Sequence, residues 1–144
     1  MPAESAAIDE ALIDLLQADP TLKALMPDGV YWDVGPPQAT RLVVVALVSQ
    51  TDTPAFQMRA FEEAVYLVKA VAFSKVANAN TDVRAAANRI DELLERGTLS
   101  VAGYALMVMQ RIGERIHATE VDDLDPTIRW YHRGGQYSIV MSST

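Results

Sequence analysis

The sequence predicts an α+β domain in which a mainly antiparallel sheet of four to five strands packs in two layers against two main helices. Three observations carry that prediction. Residues 41–49 and 61–73 are β-branched and apolar, the composition of strands. Residues 6–18 and a segment after Asn80 place apolar side chains at helical spacing. The length of 144 residues, half of them apolar and 22% charged, suits one domain over residues 1–144 with a real core.

The first helix is expected over residues 6–18, with Ser5 as N-cap and Ile8, Leu12, Leu15 and Leu16 on its buried face. Asp19-Pro20, a capping side chain before a proline, opens a short helix carrying Leu22, Leu25 and Met26. The turn sequence Pro27-Asp28-Gly29 ends it, and residues 30–34 follow as a short strand stopped by Gly35-Pro36-Pro37. Residues 50–60 then read as a long loop between the two strong strands. The second main helix starts at Asn80 or Thr81 and runs along Val83, Ala86, Ala87, Ile90, Leu93 and Leu94. Gly97 stands where a left-handed C-cap belongs. Strands are expected at about 101–112 and 136–142, with an acidic stretch, Glu120 to Pro126, between them. Gly134-Gly135, after Arg133, could cradle an anion, but a hairpin turn is the stronger reading.

The strands carry the strongest physical signal. Leu42 to Val48, residues 61–73 and Tyr104 to Met109 are apolar on both faces, since successive side chains point opposite ways. A two-faced strand needs cover on both sides. The helices suffice for one face, so either the sheet curls on itself or another subunit covers the second, and the subunit reading is the stronger.

Composition and motifs narrow the chemistry. With no cysteine, thiolate catalysis, disulfides and cysteine-held metal centres are excluded. Nineteen acidic against twelve basic residues give a net charge of −7, which opposes broad binding to a phosphate backbone. The N-terminal residues lack the basic and apolar regions of a signal peptide, and no apolar run approaches a membrane span, so a cytoplasmic, membrane-free life is expected. The sequence contains neither a nucleophile elbow nor a phosphate-binding glycine loop. His117 and His132 lie near Glu114, Glu120, Asp122, Asp123 and Asp125, but without metal-ligand spacing. The expectation is therefore no enzyme, no organic cofactor and no metal.

Two segments are candidate contact surfaces. The 50–60 loop carries Asp52, Phe56, Met58 and Arg59, among them side-chain types enriched at protein interfaces, with Phe56 the expected anchor; the alternative is that Phe56 and Met58 begin the next strand and fold back on the core. Arg129, Trp130, Tyr131 and Arg133, around His132, form a basic-aromatic cluster that fits single-stranded nucleic acid or a protein interface hot spot, and the net charge of −7 favours the interface.

Several segments arrive in an order that resembles a known family. They are Ala11 to Leu25, Gly29-Val30-Tyr31 with Val34-Gly35-Pro36-Pro37, Leu42 to Ser49, Tyr66 to Phe73, Ala85 to Leu94, and the acidic turn leading into Arg129 to Val140. The chain resembles the tail terminator (tail-completion, tail-to-head joining) proteins of long-tailed phages and gene transfer agents, over nearly its whole length. The resemblance implies a small α+β subunit assembled as a hexameric ring at the neck of the virion, put together in the host cytoplasm. Such a ring caps the tail tube, ends its polymerisation and presents the surface that joins the head connector. Its partners would be further copies of itself, the tail-tube protein and a head-side connector or stopper. DNA can pass through such a ring without being bound specifically. No catalytic residues carry over. The competing readings are another ring component (a stopper or tail-tube subunit), a small metal-dependent enzyme built on His117, His132 and the acidic turn, and a dimeric ligand-binding module.

Overall fold

A computed structural model describes residues 2–55 and 58–143, with backbone alone for 2–6, 52–55, 58–60 and 143. The elements in chain order are α1 (Pro2–Ala18), α2 (Pro20–Leu25), β1 (Val30–Trp32), β2 (Arg41–Ala55), β3 (Met58–Phe73), α3 (Ala79–Leu94), β4 (Tyr104–Val121) and β5 (Arg129–Ser143). The five strands form one open sheet in the order β1-β2-β3-β5-β4, all antiparallel except β1 against β2. This is the expected α+β architecture. Among the described residues, no helix is long and apolar enough to cross a membrane.

One face of the sheet is packed. Val43 and Val45 of β2, Tyr66, Val68 and Ala70 of β3, and Tyr137, Ile139 and Met141 of β5 meet Ile8, Leu12, Leu16, Val83, Ile90 and Leu94 of the helices in one core. Asp19 ties two of these helices together. Its carboxylate accepts the Leu22 amide at 2.9 Å as the N-cap of α2, and takes Arg89 of α3 through Nε at 2.9 Å and Nη2 at 2.6 Å. The paired Arg89 guanidinium, with help from the Leu22 amide, holds this buried carboxyl below the usual carboxylate range against the cost of burial. Asp19→Ala is therefore expected to cost about 1–2 kcal/mol through the lost cap alone. Because the folded-state pKa is depressed, this stabilisation is present above the unfolded-state value and fades as pH falls through the folded one. Urea melts of both proteins at neutral and acid pH check it: their midpoints should converge as the pH drops.

Several local expectations are corrected. Helix α1 starts at Pro2, so Ser5 lies inside it and not at its cap. Helix α3 starts at Ala79, with Asn78 in the left-handed region at its N-cap (φ 61°), earlier than Asn80 or Thr81. Strand β1 ends at Trp32, because Asp33 turns the chain with φ 58°, a conformation short polar residues tolerate. At the end of α3 the left-handed residue is Arg96 (φ 57°) and not Gly97; Gly97 is needed because a Cβ there would lie 1.9 Å from the Leu93 carbonyl oxygen.

The largest corrections concern the hairpins. Residues 50–55 and 58–60 do not form a loop but continue β2 and β3, paired from Gln50↔Ala64 to Ala55↔Met58. Gly134-Gly135 is not a turn; it lies within β5, opposite Lys69 and Val68. Strand β4 runs on to Val121 and β5 begins at Arg129, so the acidic stretch narrows to a tight closure. There the Asp122 carboxylate accepts the Leu124 and Asp125 amides at 3.1 Å each, and Asp125 accepts the Thr127 amide at 3.0 Å and its hydroxyl at 2.7 Å. Side chains that satisfy their own backbone are turn chemistry. The acidic residues close a hairpin.

Candidate assembly surface

Among the described residues, the sheet's second face carries an apolar cluster at one end. There Leu42, Val44 and Val71 form a small cluster with Ala39, Tyr31 and Trp130. Toward the other end, alternation along β3 brings Phe61, Glu63, Val65 and Leu67 to this face. Phe61, Thr51, Glu63, Met107 and Val140 line a shallow hollow of about 290 Å³. Phe61 is 41% exposed and Met107 53%. Met107 is turned out by a bulge, since Leu106 pairs with Met141 and Val108 with Val140, leaving Met107 between them. A second bulge at Val48, between the pairs Leu47↔Tyr66 and Ser49↔Val65, leaves Val48 exposed as well, while Leu47, opposite the core residue Tyr66, is exposed on the helix side. Glu63 is held on this face by the Ser138 hydroxyl at 2.6 Å.

The β2–β3 hairpin reaches past the rest of the sheet. The last residue of β3 paired with β5 is Glu62, opposite Met141, and beyond it β3 pairs only with β2. Four residues of β3, Met58 to Phe61, thus form a two-stranded arm about 13 Å long at ~3.3 Å per residue. Asp52, Met58 and Arg59 are on or next to this arm, and what is described of them is their backbone pairing. Phe56, the expected anchor, lies outside the described residues.

The basic-aromatic cluster is placed on β5 and is engaged with its surroundings. Arg129 donates to the carbonyls of Pro126 and Ile128. The Trp130 indole N–H meets Asp122 Oδ1 at 3.3 Å, and its ring lies 5.0 Å from that of Phe73. Tyr131 lies beneath the Arg133 guanidinium at 6.0 Å. The cluster is divided by the strand alternation. Trp130 and His132 pair with Phe73 and Val71 toward the open face, while Tyr131 and Arg133 pair with Ala72 and Ala70 toward the helices. Each of these four predicted contact residues is half-buried.

The histidines are separated too. His132 is buried, with Nε2 at 3.2 Å from Glu120 Oε2, and burial together with the nearby Lys69 charge pushes its imidazole below the usual range. His117 lies on the helix side of β4, opposite Arg133. Among the described residues no three His, Asp or Glu side chains converge so as to hold a metal ion.

No protein-family model matches the sequence, and no curated protein does either. Solved structures do match the fold. A chain in the virion of a native gene transfer agent particle aligns with a TM-score of 0.67 at 19% identity, covering 99% of this chain and 100% of that one. A second solved chain aligns with a TM-score of 0.54 at 16% identity, covering 97% and 92%.

Proposed function

We propose that this chain is a structural subunit of a phage-like virion, and within it the tail terminator: a ring, hexameric by family resemblance, that caps the tail tube and joins it to the head connector. The observation that carries the reading is the half-covered sheet face, where Phe61, Met107 and Val48 present apolar surface that nothing among the described residues buries. A ring subunit buries such surface against a neighbour through a head-to-tail contact that closes. The end-to-end fold likeness to a chain of a gene transfer agent virion supports the same reading. The projecting β2–β3 arm suits contact with the tail tube or an adjacent subunit, with Asp52, Phe56, Met58 and Arg59 as its proposed contacts and Arg129, Trp130, Tyr131 and Arg133 as a second set.

Electron microscopy of the purified protein and of particles from the producing cells tests this. Rings with a central pore are expected, and deletion of the gene should give tails of uncontrolled length that are not joined to heads. Absence of tails would instead indicate a tube subunit, and normal tails beside leaking heads a stopper. An isologous dimer or a lone copy in the particle overturns the ring.

A paired substitution places the interface. Phe61→Glu with Met107→Glu changes only exposed side chains, so the thermal melt should move little, by about 0.5 kcal/mol or less per site. Ring formation and particle assembly should be lost, because two desolvated charges would face the neighbour. Assembly at the normal level in the double variant would remove this face from the interface.

A further inference from the structure

A second concavity lies on the other side of the sheet, between α3 and the β4–β5 ladder, with a volume of about 280 Å³. Its lining is unusual for so acidic a chain. Arg84 and Asn88 enter from α3, Arg115 and His117 from β4, and Arg133 from β5; no carboxylate lines it.

These guanidiniums are poorly neutralised. Arg84 is exposed and meets no carboxylate among the described residues. Arg133 is fixed by neutral acceptors alone, its Nη1 donating to the Ala118 and His132 carbonyls at 2.9 Å each. Its Nε is buried and has no acceptor, which is costly for a charged donor. Arg115 reaches Asp91 at 3.0 Å, but that carboxylate also serves Arg111 at 2.8 Å. Three cations around one hollow repel each other unless an anion joins them. Planar guanidinium forks suit an oxyanion with several acceptor oxygens.

From this geometry we infer that the pocket between α3 and the β4–β5 ladder is a binding site for a phosphate group. Arg84, Arg115 and Arg133 supply the charge, and His117 and the Asn88 amide N–H, whose Oδ1 already accepts from Arg115 at 2.5 Å, supply further polar contacts. The site is independent of the ring proposal, because it lies within one subunit and on the opposite side of the sheet from Phe61 and Met107. The phosphate could belong to a free small molecule or to a nucleic acid backbone, and the two sources are separable.

Inorganic phosphate is titrated into the purified protein, following the arginine side-chain Nε–Hε resonances by NMR, with chloride at matched ionic strength as reference. Saturable shifts are expected for Arg133 and Arg84 with phosphate and not with chloride. Arg84→Gln, at an exposed position, should weaken binding at least tenfold, whereas Lys75→Gln, which removes the same charge from the surface elsewhere, should leave it unchanged. A short DNA duplex that displaces phosphate assigns the source to a backbone; failure to displace it assigns the site to a free phosphate. The proposal is overturned if the shifts do not saturate, if chloride reproduces them, or if Lys75→Gln weakens binding as much as Arg84→Gln.

Discussion

Replacing Gly134 by alanine is expected to destabilise the protein by about 3 kcal/mol, a large share of the ~5–15 kcal/mol that holds a domain together. A Cβ at this position would lie 2.1 Å from the Val68 carbonyl oxygen and 2.6 Å from the Lys69 Cα, both backbone atoms of β3. Neither can withdraw without opening the ladder between the two central strands. Gly135 is the internal control. Its nearest contact for a Cβ is the Arg111 Cδ at 3.3 Å, a flexible side chain that can shift. Gly135→Ala should therefore be near neutral, since reduced unfolded-state freedom offsets the mild crowding. Urea unfolding checks both, with a fall in midpoint expected for Gly134→Ala at an unchanged m-value. Equal midpoints for the two variants would show that the central strands can part without cost.

Loss of the Asp91 charge is expected to cost about 2–4 kcal/mol, because one carboxylate joins three elements. Its Oδ1 accepts Arg111 Nη1 of β4 at 2.8 Å and the Tyr137 hydroxyl of β5 at 3.0 Å, while Oδ2 pairs with Arg115 Nη2 at 3.0 Å. Burial alone would raise this carboxyl; the Arg115 and Tyr137 hydrogen bonds and the charges of Arg115 and Arg111 outweigh burial and hold it below the usual range. For a depressed carboxyl the stabilisation is complete above the unfolded-state value, 3.8 for an ordinary aspartate, and is lost as pH falls through the folded-state value. Asp91→Asn keeps the shape and removes the charge. Its deficit relative to the natural protein should be largest at neutral pH and should shrink in acid. Denaturant melts across that range measure it, and a deficit independent of pH would mean that shape, not charge, carries the effect.

What was legible in the sequence was the apolar part of the sheet. Leu42 to Val48 and the 61–73 stretch announce themselves through β-branched residues, and the stripe Val83, Ala86, Ile90, Leu94 announces α3. What escaped was structure that no apolar pattern marks. The polar stretch from Gln50 onward resembles a loop in composition, yet the backbone of residues 50–55 pairs with β3 along its length. The second half of β4 is an edge strand, mostly exposed, so no apolar pattern marks it. Gly134-Gly135 carries the composition of a hairpin turn, and only the close approach of β3 shows why glycine stands there. The arginine-lined pocket was illegible for another reason. Arg84, Arg115 and Arg133 are far apart in the chain, and the insertion of β5 between β3 and β4 is what brings two of them beside α3.

That insertion also orders events in time. The strand that fills the gap between β3 and β4 is the last element of the chain, so the sheet has no continuous centre until Arg129–Ser143 has been synthesised. A nascent chain held on the ribosome short of that point has two disconnected strand groups, β1-β2-β3 and β4, with Tyr137, Ile139 and Met141 missing from the core. Pairings of such sequence separation form slowly and only after loop closure has been met. A polypeptide cut before residue 129 is therefore unable to complete its core, and the continuous sheet exists only after β5 has been synthesised. The topology acts as a proofreading step, because truncated chains lack the strand that completes the sheet.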